Sequence, residues 1–173
     1  MKHRCKDNRE KSTMSKRLTP KGYRLLKAEY ENLLHVERPK VVRGITNAAA
    51  EGDRSENAEY IYGKKHLREI DKRLQYLAQL LKEVQVICLE HRLQSTVSFG
   101  HTVVVKDDQD EFRSFRIVGE GETEFHDRAI SERSPVAKAL LGKRIGDIVE
   151  IVRPKGVWEV EICELLNSVD RDQ

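Results

Sequence analysis

The chain has 173 residues, 35% of them charged and 38% hydrophobic, with 32 Lys and Arg against 29 Asp and Glu. A net charge of +3 rules out whole-surface basicity as a basis for binding nucleic acid, so any electrostatic role must come from local clusters. No apolar run reaches the roughly 18 residues of a membrane span, and no apolar segment follows the basic start as a secretory signal would, which predicts a cytoplasmic protein with no membrane partner.

Three cysteines, Cys5, Cys88 and Cys163, stand far apart without a CxxC pair, and six histidines form no HxH or HxxxH pattern. Neither a disulfide framework nor a zinc site is expected from such spacing.

Residues 1–17 are rich in Lys, Arg, Ser and Asn and nearly devoid of large apolar side chains. They cannot bury enough surface to offset the entropy of ordering, which predicts a disordered basic tail. Thr19-Pro20 then reads as a helix start, threonine as N-cap and proline at the first helical position, where its missing N–H costs nothing. Apolar residues recur at Tyr23, Leu26, Tyr30, Leu33 or Leu34, Val41, Ile45 and Ala48, the stripe of one long helix. Pro39 interrupts it and predicts a kink near Arg38.

The run from Ala48 to Tyr60, Ala-Ala-Ala-Glu-Gly-Asp-Arg-Ser-Glu-Asn-Ala-Glu-Tyr, is a small acidic break. Its Gly, Asp, Ser and Asn favour a turn followed by a helix start. Beyond it Tyr60, Gly63, Leu67, Ile70, Leu74, Leu77, Leu81, Val84 and Cys88 alternate by three and four, a coiled-coil seam. Residues 18–92 are therefore expected to form an antiparallel hairpin about 42 Å long with the acidic break at its tip. Gly63 and the alanines keep that end thin.

From residue 93 the pattern changes to strands, at 101–106, 111–118, 148–152 and 157–165, with a short helix over 134–142 opened by Ser134-Pro135 and closed by Gly142. The expected class is α+β: a long N-terminal antiparallel α-helical coiled-coil hairpin followed by a small antiparallel β-sheet domain with a short helix, residues 93–173.

Asp53 and Glu56 sit three apart before the apolar period. As a capping box they would bind free N–H groups at the helix start. As metal donors two carboxylates are half a site, since Mg²⁺ keeps several waters and takes further ligands from a substrate or a partner. Arg54, Lys64, Lys65, Arg68, Lys72 and Arg73 cluster nearby, with Lys65, Arg68 and Lys72 on one helix face. That face is either a phosphate contact or a solvated surface in which Glu69 and Arg73 form an i,i+4 pair.

Gly52-Asp53-Arg54-Ser55-Glu56-Asn57-Ala58-Glu59-Tyr60, continuing through Tyr62-Gly63-Lys64-Lys65 to Leu67-Arg68-Glu69-Ile70-Asp71, resembles the bacterial Gre transcript-cleavage factors of the GreB type. Further blocks in the same order extend the likeness from about Leu18 to Leu166: Glu37-Arg38-Pro39, Phe115-Arg116-Ile117-Val118-Gly119, Ile130-Ser131, and Ser134 to Leu141.

The resemblance implies an FKBP-like C-terminal domain that docks on RNA polymerase, and a coiled coil that enters the polymerase secondary channel. Asp53 and Glu56 would then help hold the second catalytic Mg²⁺, shared with the polymerase and not bound stably by the isolated protein. The polymerase itself would cleave the 3′ end of backtracked nascent RNA, so this chain would be an accessory factor, monomeric and not an enzyme. Arg54, Lys64, Lys65, Arg68 and Lys72 would guide the extruded RNA. The alternatives are a secondary-channel regulator that acts without cleavage, an FKBP-like isomerase or chaperone, and a coiled-coil module that binds free nucleic acid.

Overall fold

The computed structural model describes residues 16–50, 57–88, 95–154 and 156–167. Residues 1–15, most of the expected tail, lie outside them, as do Asp53, Arg54 and Glu56. The chain divides into two compact units, one made of residues 24–83 and the other of the flanking residues up to Tyr23 and from Val84 onward. No described helix is long and apolar enough to cross a membrane.

The helical unit takes its order from the apolar stripe. Helix α1 (Pro20–Asn32) continues through a π-helical turn at Leu33–Glu37 into α2 (Arg38–Ala50), and α3 (Ala58–Glu83) follows the tip. The kink expected at Pro39 is realised as that π-turn, in which the Arg38 N–H bonds the carbonyl of Leu33 five residues back. Proline has no N–H to offer the preceding turn, and one residue of extra winding moves the defect ahead of it.

Helix α3 buries Ile70, Leu74, Leu77 and Leu80. Leu80, not Leu81, is therefore the fourth seam residue, because a helix of 3.6 residues per turn drifts off a strict three–four alternation. The seam ends at Glu83 and does not run on to Cys88. Two charge pairs strap this unit: Arg73 donates to both carboxylate oxygens of Glu29 at 2.7 and 3.0 Å, and Arg38 donates to Asp71 at 2.8 Å. The Arg73 guanidinium is thus committed across the helices to Glu29, where the sequence spacing had pointed to Glu69.

In the other unit, β1 (Arg17–Leu18) pairs in parallel with β2 (Gln85–Val86). Lys16 and Arg17, assigned to the tail by composition, belong instead to the folded chain. The Arg17 guanidinium bonds Glu132 and lies 4.9 Å from the centre of the Phe99 ring, which supplies the partners that composition could not reveal.

The main sheet has the order β5-β4-β3-β7-β6, formed by β3 (His101–Asp107), β4 (Phe112–Val118), β5 (Ala129–Ser131), β6 (Ile148–Arg153) and β7 (Gly156–Asn167). Four strands run antiparallel as expected, but β5 adds to β4 in parallel, so the sheet is mixed. Three residues between Arg128 and Glu132 carry too short a pattern to read as a strand.

Helix α4 (Pro135–Leu140) begins where predicted, with the Ser134 hydroxyl accepting from the Ala137 N–H at 3.1 Å. Its Ala137 and Leu140 join Val103, Val105, Ile117, Val149, Ile151, Trp158, Val160 and Ile162 in one core. A bulge opposite Val104 and Val105 makes Cys163 an extra residue in β7 and restores the inward phase at Leu165. Cys163 is a free thiol. Cys88 is disulfide-bonded, against the expectation that no cysteine would be paired.

The start of α1 is held by a residue far away in sequence. A capping box uses Thr at the N-cap and Glu three residues on, but here that third position is Gly22. The fully buried Glu122 takes the missing role: its carboxylate accepts from the Thr19 N–H and the Thr19 hydroxyl, both at 2.7 Å. The Thr19 oxygen in turn accepts from the Gly22 N–H at 3.0 Å. A Cβ at position 22 would lie 2.2 Å from the Glu122 carboxyl carbon, so only glycine leaves room.

Candidate functional site

The helix ends on either side of the tip are tied by one side chain. Asn57 accepts from the Tyr60 N–H through Oδ1 at 3.1 Å, and its Nδ2 donates to the Ala48 carbonyl at 2.9 Å. It is thus the N-cap of α3 and a clasp on the last turn of α2. Asp53 and Glu56, the pair considered for capping, lie outside the described residues. The six residues 51–56 connect the two ends.

Close approach of the helices follows from small side chains. A Cβ at Gly63 would fall 2.7 Å from Cγ1 of Ile45, so any larger residue would push α3 off α2. Ala48 is buried on the same side. Asn57→Ala is expected to lower the thermal midpoint, costing about 1 kcal/mol as for a lost N-cap, with further loss from the unbonded Ala48 carbonyl. Circular dichroism melting of the full chain measures this.

Of the basic candidates, Lys64, Lys65, Arg68 and Lys72 are all exposed on α3. At 3.6 residues per turn they fall within an arc of about 100°. The Lys64 ammonium lies 5.3 Å from the centre of the Tyr60 ring. Among the described residues, Lys65, Arg68 and Lys72 have no carboxylate within ion-pair distance.

The acids beside this strip are engaged elsewhere: Asp71 holds Arg38, and Glu69 lies 3.8 Å from His66. Among the described residues, these two acids therefore leave the positive charge of the strip unpaired. Sequence reasoning named these cations but missed the Asn57 clasp, although Asn before an apolar period is itself an N-cap signal.

Among the described residues no group of three or more His, Cys, Asp or Glu could hold a metal ion. His101 is buried on β3, where its ring meets Ser98 and burial pushes its pKa below the ordinary value, in keeping with a packing role.

The sequence blocks on which this geometry rests are shared with a known family. Residues 16–86 match the family model described as transcription elongation factor, N-terminal, and residues 92–167 match transcription elongation factor, GreA/GreB, C-term. The chain belongs to the GreA/GreB family of transcription elongation factors.

Among curated relatives, transcription elongation factor GreB of Yersinia pestis is 45% identical over 84% of this chain and 86% of its own. GreB of Xanthomonas axonopodis pv. citri is 46% identical over 85% and 87%. GreB of Pseudomonas aeruginosa is 44% identical over 83% and 86%. A solved structure of the transcription factor Gfh1 covers 86% of this chain and 96% of its own at 24% identity, with a TM-score of 0.42.

The two family matches correspond to the helical hairpin and the mixed-sheet domain, so GreA/GreB membership covers both parts of the α+β architecture.

Proposed function

We propose that this GreA/GreB family member enters the secondary channel of RNA polymerase by its coiled coil and stimulates cleavage of the 3′ end of backtracked nascent RNA. Cleavage would rescue arrested complexes. The polymerase supplies the active site, and the factor is an accessory to it. Asp53 and Glu56 supply carboxylate oxygens to a Mg²⁺ held jointly with the polymerase, where the ion would activate water for attack on the phosphodiester. Two carboxylates alone do not retain the ion, so the isolated chain is not a metalloprotein.

The observation that supports this reading best is the exposed strip of Lys65, Arg68 and Lys72, unpaired among the described residues, on the helix that begins at the Asn57 clasp. RNA is a polyanion, and a strip of this kind attracts it without reading its sequence. Lys64, beside Tyr60, and Arg54 extend the same set.

Backtracked elongation complexes with labelled 3′ RNA, incubated with the wild-type chain and Mg²⁺, test the proposal. Release of short 3′ fragments supports it. Polymerase binding with slowed elongation and no fragments would identify a non-cleaving regulator instead. Replacing Lys65, Arg68 and Lys72 together by Ala should lower cleavage at subsaturating factor by about tenfold, and flatten its dependence on salt because fewer counterions are exchanged. A triple variant equal to wild type across a salt series would remove the strip from the mechanism.

A further inference from the structure

The hairpin carries a cleft that the proposed mechanism does not use. It lies between α2 and α3, has a volume of about 490 Å³, and has Val41, Gly44, Ile45 and Gly63 in its lining. Ligand clefts typically measure roughly 300–1,000 Å³. Polar and aromatic side chains of α3 form the rest of the wall.

Two glycines make the hollow, and the fold requires only one of them. At Gly63 a Cβ would fall 2.7 Å from Cγ1 of Ile45, whereas at Gly44 it would meet nothing within 4 Å. Glycine inside a helix is destabilising relative to alanine, because the unfolded backbone has more freedom to lose. At Gly44 that cost brings α2 no closer packing in return. A glycine there serves instead to let an outside group approach the α2 backbone.

The chemistry of the remaining wall says which group. Tyr62 is 75% exposed, and an exposed aromatic ring at a cleft is a platform for an unstacked nucleobase. Glu59 and Glu69 also line the cleft. Glu69 lies 3.8 Å from His66, while Glu59 has no ion pair or side-chain hydrogen bond among the described residues.

Carboxylates repel phosphate but accept N–H donors from the edge of a base. Guanine presents two such donors side by side, N1–H and the 2-amino group, which one carboxylate accepts together, whereas uracil presents a single N3–H. The phosphates are then left outside the cleft. Lys65 gives them a place, because it lines the cleft and also opens the strip that continues through Arg68 and Lys72.

We propose that the cleft is a base subsite: it takes one unstacked nucleobase of the extruded RNA, guanine in preference to uracil, while the adjoining phosphates lie on Lys65, Arg68 and Lys72. This deepens the functional reading above and rests on it. Tyr62 supplies the stacking surface, Glu59 the acceptor that discriminates, and Gly44 and Gly63 the depth.

The test uses the full chain and backtracked elongation complexes in which a single guanine is moved through an extruded run of uridines. For the wild-type chain, the factor concentration that gives half-maximal cleavage should be about tenfold lower with guanine at the favoured position than in the all-uridine complex. Gly44→Leu, which fills the hollow with a better helix former, and Tyr62→Ala, which removes the platform, should each bring that ratio to about one. Glu59→Gln, which keeps one acceptor and loses the charge, should leave it at about twofold. Every protein is measured on the same complexes, so sequence effects of the polymerase itself cancel in the comparison. The thermal midpoint of Gly44→Leu by circular dichroism should equal or exceed that of wild type, which separates loss of the cleft from loss of the fold.

A wild-type ratio near one at every position overturns the subsite and, with cleavage observed, leaves the functional reading standing. A tenfold ratio that persists in Gly44→Leu and Tyr62→Ala places the discrimination outside the cleft and also overturns it. Absence of stimulated cleavage from every complex overturns both.

Discussion

Replacing Asp53 by Asn and Glu56 by Gln together is expected to abolish stimulated cleavage, by at least about 100-fold in rate, while polymerase binding stays within about twofold of wild type. A hundredfold loss corresponds to about 2.7 kcal/mol of barrier, within what a metal donor set contributes. The amides keep the size of the acids and can still accept a hydrogen bond, but they offer a divalent cation no negative charge.

Single substitutions separate the two residues. If both serve one ion, either alone should lose most of the activity, and the double variant should be little worse than the weaker single. Raising the Mg²⁺ concentration should recover part of the lost rate in the single variants. Full cleavage by the double variant, measured on backtracked complexes at saturating factor, would sink the shared-metal reading without touching the fold.

The second large effect is expected at the start of α1. Gly22→Ala puts a methyl carbon 2.2 Å from the Glu122 carboxyl carbon, in a site where both residues are buried. Overpacking of this kind costs about 1–3 kcal/mol. The carboxylate must also withdraw from the Thr19 N–H, and a buried donor left without its partner adds about 1–3 kcal/mol more. Denaturant unfolding of Gly22→Ala measures the sum. Wild-type stability for this variant would mean that Glu122 can relax away without cost.

Glu122 also predicts a pH dependence. Burial raises its pKa above the ordinary glutamate value, while the Thr19 hydrogen bonds and the charge of Arg116 oppose that rise. A carboxyl whose folded pKa lies above its unfolded one favours folding fully below the unfolded value. That contribution is lost as pH rises through the raised folded value. Stability from this group should therefore fall from acid toward neutral pH. Glu122→Gln, which cannot ionise but keeps an oxygen for the Thr19 N–H, should flatten that part of the profile. Melting temperatures of the two proteins across the acid range make the comparison.

Much of the fold was legible because it depends on local periodicity. The stripe from Tyr23 to Ala48 predicted the first arm, and Ser134-Pro135 predicted the start of α4. The strand expected at 157–165 lies within β7, where buried Trp158, Val160 and Ile162 alternate with exposed Glu159 and Glu161. Each of these signals is a short-range consequence of helix pitch or strand pleat. The basic strip was legible for a similar reason, since Lys65, Arg68 and Lys72 are three and four apart on α3 and share a helix face.

What local pattern could not carry was any partner distant in sequence. Arg17 looks like a tail residue until Glu132 and Phe99 are placed beside it, 115 positions separating the arginine from that glutamate. Arg73 has Glu69 at helical spacing, yet its guanidinium goes to Glu29, 44 positions away, in a two-toothed geometry that an i,i+4 pair on an exposed face seldom holds. β5 is three residues long, too short for alternation to announce it, and exists because β4 has an open edge.

The sequence by itself determined the helical hairpin, the strand faces, the family and the charges available near the tip, because all of these repeat within a few residues. Tertiary structure decided which charges are already spent. Asp71 and Arg73 are taken by Arg38 and Glu29, whereas Lys65, Arg68 and Lys72 have no carboxylate within reach among the described residues. It also decided that Gly22 is glycine because a glutamate 100 residues away in the chain fills its space. Those outcomes depend on which surfaces meet when the chain closes on itself, and periodicity within one segment holds no information about the segment it will meet.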